Sequence, residues 1–153
     1  MYKVVKTYGH DLGLSCAFRQ WKATSHCRFL HGYSLAFEFT FSSETLDFCN
    51  WVVDFGNLKL LKDALVQQFD HKTIVSTDDP YLDRFKKMHE EGIIDLVILK
   101  NVGCEAFAEQ SYILARQVLV SSKLGQVNIE QVKVSEHGAN SAIYIPGYTG
   151  LKQ

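Results

Sequence analysis

From Tyr33 to Phe41 the chain alternates without a break. Tyr33, Leu35, Phe37, Phe39 and Phe41 are large and apolar, while Ser34, Ala36, Glu38 and Thr40 between them are small or polar. Successive side chains of a strand point to opposite faces, so this period of two specifies an extended segment with one aromatic face buried. A helix would scatter the same rings around its axis. Such a strand needs partners at its edges and helices against its aromatic face.

The rest of the chain supplies both. Met1–Phe18 reads as an extended partner bent near Gly9 and Gly13, where glycine tolerates a bulge. A helix is predicted at about Asn57–Phe69, with Leu58, Leu61, Leu65 and Phe69 on one stripe and Asp54 or Asn57 as its cap. Asp79-Pro80 opens a second helical stretch through Glu91, ended by Gly92, and Ile94–Leu99 reads as a short strand. A third helix at about Glu105–Ser121 is expected to bury Phe107, Leu114 and Val118, with Ser111 and Ala115 on the same stripe. Two strands close the chain: Ile129–Ser135, where Ile129, Gln131, Lys133 and Ser135 alternate against Val132 and Val134, and Ser141–Ile145. Two strands, helices, then two strands predict an α+β fold, a four-stranded antiparallel sheet with helices packed on one face. The bare face and the open edges predict that copies associate.

A length of 153 residues suits one domain spanning 1–153, and 46% hydrophobic residues suffice for its core. The net charge of −1 offers nucleic acid or an anionic membrane no electrostatic hold. No apolar run is long enough for a membrane helix, and the opening Met1–Thr7 lacks a secretory pattern, so a cytoplasmic location is expected. Cys16, Cys27, Cys49 and Cys104 show no C-x-x-C spacing and read as free thiols.

Three places carry potential chemistry. The first is Ser25–Tyr33, where His26, Cys27 and His31 crowd the entry to the aromatic strand and His31 and Tyr33 share a face. The second is Asp70-His71, just past the first long helix. An acidic neighbour can fix an imidazole's tautomer for proton transfer, although the pair can equally be a helix cap. The third is Glu136 at a strand end, where a carboxylate can accept two parallel N–H donors.

Taken together, these segments resemble the 6-pyruvoyl-tetrahydropterin synthase and 6-carboxytetrahydropterin synthase family. Cys27-Arg28-Phe29-Leu30-His31-Gly32-Tyr33 is similar to the family's C-x-x-L-H-G-H, and Trp51–Lys59 to its W-[IV]-[IV]-D-F-x-x-L-K. Phe69-Asp70-His71 matches L-D-H, Glu105 stands in place of the glutamate of T-[SA]-E, and Val134-Ser135-Glu136 matches V-x-E. The resemblance implies a tunnelling fold that oligomerises into a barrel, as a homohexamer of two trimers with sites between subunits. It implies a lyase acting on the side chain of 7,8-dihydroneopterin triphosphate or a related pterin, in queuosine or biopterin synthesis. Cys27, Asp70 and His71 would be catalytic, and Glu136, Glu105 and Tyr33 would bind substrate. Zinc on three histidines would polarise the side-chain oxygens.

The metal set departs from that pattern. Phe18 stands in place of the first histidine and Tyr33 in place of the last, leaving His31. Three readings follow. His10 and His26 could join His31 around a zinc ion. The lyase could work without metal, by proton transfer among Cys27, Asp70, His71 and Tyr33. Or the protein could bind a pterin or purine without turnover. Arg19, Lys22 and Arg28, next to the motif, could meet a triphosphate or simply be surface charge.

Overall fold

The aromatic strand organises the computed structural model, which describes residues 1–147; the end of the predicted domain, 148–153, lies outside the described residues. The elements run β1 (Tyr2–Tyr8), β2 (Leu14–Phe18), β3 (His31–Ser43), α1 (Lys59–Phe69), β4 (Lys72–Ser76), α2 (Leu82–Glu90), β5 (Asp95–Leu99), α3 (Cys104–Ser121), β6 (Asn128–His137) and β7 (Asn140–Tyr144). β3 is long enough to serve two antiparallel partners along one edge. β2 pairs its first part, Phe18 opposite His31, and β1 its second, Tyr8 opposite Phe37. A short 3-10 turn at His10–Leu12 makes the bend between them, and Gly13 leaves it at φ 73°, where a side chain would be strained. β6 lines the other edge of β3, with β7 outside it.

Among the described residues the sheet has seven strands rather than four, and it is mixed. β4 runs parallel to β2, and β5 parallel to β4. Between β4 and β5 the chain crosses through α2, as parallel neighbours require. β4 was illegible because Thr73, Ile74, Val75 and Ser76 are all buried, so no polar residue marks a period of two. Ile74 joins the main core, whereas Val75, pointing the other way, is buried apart from it, as is Phe85 of α2. With α2 packed on β4 and β5, that helix covers the far face of the sheet at this end.

Phe37, Phe39 and Phe41 meet Phe69 of α1 and Phe107 of α3 in a fully buried core. Asp54 caps the entry to α1, accepting the Gly56 N–H at 2.8 Å; a 3-10 turn at Phe55–Leu58 precedes the helix proper. Two sequence expectations need correction. In α3 the buried stripe runs Cys104, Phe107, Ala108, Ser111, Ala115 and Leu119, so Leu114 and Val118 sit half-buried on its flank. In β6 the alternation breaks at Glu130. Thr40 pairs Gln131 but Phe41 pairs Ile129, so this bulge turns both Ile129 and Val132 inward. Glu130, freed from the ladder's phase, accepts Ser42 Oγ at 2.6 Å and Lys3 Nζ at 3.1 Å.

Candidate functional site

A tight 3-10 turn at His26–Arg28 presents Cys27 at the mouth of β3. Ser25 Oγ accepts the Cys27 N–H at 3.4 Å, and the Cys27 carbonyl accepts the Gln20 N–H at 2.9 Å, tying the turn to the end of β2. Gly32, in the middle of the motif, has a steric reason to be glycine. A Cβ there would lie 2.4 Å from the Cys16 carbonyl oxygen on β2.

Phe18, His31 and Tyr33 project from the helix-covered face of β2 and β3 as a three-ring cluster. Ring centres are 5.2 Å apart for Phe18–His31, 5.4 Å for His31–Tyr33 and 6.1 Å for Phe18–Tyr33. Phe107 closes the inner side, edge-on to Phe18 at 5.0 Å. His31 Nδ1 lies 2.7 Å from the Phe29 carbonyl oxygen, to which it donates.

Beyond these rings, Tyr33 lies within electrostatic reach of Cys27, Glu136 and Cys104, the last in the first turn of α3. Burial raises the Tyr33 phenol above its ordinary value, helped by the negative potential of Glu136 and the thiols of Cys27 and Cys104. Burial also pushes the Cys104 thiol up to about 12, with the Glu136 and Glu105 carboxylates adding to it. Cys104 thus lies within electrostatic reach of Glu136. Glu105, one residue on, is exposed. Sequence reasoning gave Cys104 no role. Its only signal was its place beside Glu105 in Gly103-Cys104-Glu105.

Asp70 and His71 form the expected pair, His71 Nδ1 to Asp70 Oδ1 at 2.8 Å. His71 takes φ 57°, uncommon without glycine, and its N–H is anchored on the Ser15 carbonyl at 2.6 Å. Its side chain is 85% exposed. It borders a hollow of about 380 Å³ lined by Ser15, Ala17, Gly32 and Thr73. Ser15 and Gly32 are out of phase with Cys16 and Tyr33, so this hollow opens on the face away from α1 and α3. Within one chain, Cys27, Tyr33 and Glu136 come together, and Asp70-His71 stands apart from them.

The residues present do not suit zinc. Two of the three resemblance positions carry rings without a usual zinc donor, and these rings pack against each other and Phe107. His10 is held at Ser34, 2.5 Å from its carbonyl oxygen, on the other phase of β3, and His26 is exposed on the turn. Among the described residues, no three His, Cys, Asp or Glu side chains stand close enough together to hold a metal ion. A hollow of about 440 Å³ lies elsewhere, between β1 and Trp51–Phe55.

The cations beside the motif are mostly engaged. Arg19 forms a two-pronged pair with Asp79, both contacts at 2.8 Å, and its Nη1 donates to the Arg28 carbonyl at 3.3 Å. Lys22 pairs with Asp78 at 2.5 Å.

An α+β sheet of this topology, with a strand-end glutamate and a thiol at one end of its helix-covered face, defines a tunnelling-fold protein. The chain belongs to the 6-pyruvoyl tetrahydropterin synthase family, whose model matches residues 10–146. It is 28% identical over 147 residues to 6-carboxy-5,6,7,8-tetrahydropterin synthase of Aquifex aeolicus, covering 94% of this chain and 88% of that one. An uncharacterized protein of Wolinella succinogenes shares the fold at TM-score 0.77, with 18% identity over 95% of this chain and 98% of that one. The 6-pyruvoyl tetrahydropterin synthase of Caenorhabditis elegans shares it at TM-score 0.61, with 15% identity over 94% and 93%. No helix among the described residues is long and apolar enough to cross a membrane.

Proposed function

We propose that this protein is a tetrahydropterin synthase-type lyase that works without a metal on the side chain of a dihydropterin. The observation that carries the reading is that Cys27 and Glu136 both lie within electrostatic reach of Tyr33, in a chain of this family. Glu136 accepts the paired N–H donors of the pterin's aminopyrimidinone edge, which orients the ring. Cys27 then lies toward the side chain as the base. Tyr33, with its phenol proton retained, donates to a side-chain oxygen. Removal of a hydroxyl proton lets the adjacent carbon–carbon bond break, its electron pair passing into the ring, and an acid returns a proton to the carbon left behind.

Asp70-His71 serves the same step from a neighbouring copy. Asp70 accepts from His71 Nδ1, so Nε2 is left free on an exposed ring to trade a proton across an interface. A homohexamer of two trimers supplies such interfaces, and the open edges of β1 and β7 are the natural seams.

The test is incubation of the protein, in chelator, with 7,8-dihydroneopterin and with its triphosphate, followed by chromatography of the products. A new pterin at stoichiometric or higher yield supports the lyase. Full recovery of both compounds at high protein concentration overturns it. The rings in place of the metal ligands favour one second reading, a pterin binder without turnover. That reading requires binding that survives Cys27→Ala, with no product from the unaltered protein.

A further inference from the structure

Glu136 stands at an irregularity in the sheet. β6 and β7 pair Ser135 with Ser141 and then His137 with Asn140, so Glu136 is an extra residue without a partner on β7. Val134 is buried on the helix-covered face, and strict alternation from it would send His137 to the opposite face. The bulge breaks that alternation. The ring centre of His137 comes to 6.0 Å from that of Tyr33, with the two planes inclined at 50°. Two consecutive residues, which a regular strand would separate, thus both lie near Tyr33.

The His137 ring is held by its own turn. Its Nδ1 accepts the Ala139 N–H at 3.2 Å, across the two-residue turn Gly138-Ala139. Nε2 then carries the proton of the neutral ring, and it lies 3.2 Å from the Asn140 side-chain amide. With both nitrogens engaged by the turn, the imidazole has none to offer a substrate. What it offers Tyr33 is a fixed surface. Tyr33 also meets His31 edge-on at 5.4 Å and Phe18 at 6.1 Å, so His137 adds a fourth ring to the cluster, from the side of the β6–β7 turn. A phenol that donates a proton needs one orientation, and its ring turns about the side-chain bonds unless neighbours restrict it.

We infer that His137 is a positioning residue: its ring, brought round by the bulge at Glu136, fixes the Tyr33 phenol for proton donation to the substrate. The inference rests on the lyase reading above and adds a residue to it. His137 acts through Tyr33 and takes no part in bond breaking.

A double-mutant cycle on the full chain, assayed for turnover of 7,8-dihydroneopterin and of its triphosphate, tests it. His137→Ala should lower kcat about fivefold, with KM within about twofold of that of the unaltered protein. Tyr33→Phe keeps the ring and loses the hydroxyl. In that background His137→Ala should change the residual kcat by less than about 1.5-fold, because the ring it steadies no longer donates. Asn140→Ala loosens the imidazole from an exposed turn and leaves the cluster intact, which covers the case of a His137 variant that does not fold. It should lower kcat about threefold, and this effect too should vanish with Tyr33→Phe. Equal losses in both backgrounds, a raised KM at unchanged kcat, or no change at all would overturn the inference and leave the lyase reading standing. If the unaltered protein makes no product, the lyase reading itself falls, and this inference with it.

Discussion

At the residue scale, three rings stand at about the spacing of a metal-bound histidine set. Three imidazoles sharing one zinc hold their ring centres about 5 Å apart, given metal–nitrogen distances of about 2 Å. Phe18, His31 and Tyr33 stand 5.2–6.1 Å apart, and His31 keeps the carbonyl partner that would orient a ligand. Phe18→His with Tyr33→His should therefore bind about one zinc per chain by elemental analysis, against almost none for the unaltered protein. Near-stoichiometric zinc in the unaltered protein would overturn the metal-free reading. Cys27→Ala should lower turnover about 10²- to 10⁴-fold with pterin affinity unchanged, the size of a lost general base. Equal turnover in that variant would remove Cys27 from the chemistry. Motif spacing made Cys27, His31, His71 and Glu136 legible from sequence, because each is a reactive type in a recognisable string. Cys104 and Asp79 were not legible as partners of Glu136 and Arg19. Those pairings span 32 and 60 positions and exist only once the sheet and α3 are assembled.

At the element scale, what the sequence showed depended on amphipathicity. β3 alternates and was plain, whereas β4, buried along most of its length, carries no pattern to read. The bulge at Glu130 was invisible because it belongs to a pairing, not to a segment. The same logic makes Gly32 critical. Gly32→Ala puts a methyl 2.4 Å from backbone on β2, which cannot swing aside as a side chain would. We expect a loss of about 1–3 kcal/mol in denaturant melts and weaker pterin binding. A neutral result would mean that β2 and β3 separate easily at this point. The turn at Asp78 has a pH signature. Contacts from Lys22 and Trp21 draw its carboxyl down to about 2. A depressed folded value means that the contact is intact above the ordinary carboxylate range and is lost as pH falls through about 2. With Trp51→Phe removing the other indole, Trp21 fluorescence should titrate near pH 2. A midpoint at the ordinary carboxylate value would show that the Asp78 contact is absent in solution.

At the scale of the whole molecule, one chain carries two half-sites on opposite faces of a sheet. Cys27, Tyr33 and Glu136 lie toward α3, and His71 borders a hollow on the other face. In one case the imidazole serves the thiol of its own chain. In the other, the one proposed above, copies join at the edges of β1 and β7 and each His71 serves its neighbour's Cys27. Complementation separates these cases. Cys27→Ala and His71→Ala chains are each expected to be nearly inactive. Co-assembled in equal amounts, they should regain about a quarter of full activity, because a site drawing its thiol from one copy and its imidazole from the next has even odds for each. Mixing after separate assembly, with no subunit exchange, should regain nothing. Were the thiol and imidazole to act within one chain, every site in the co-assembled mixture would lack one of them, and activity would stay at the level of the single variants.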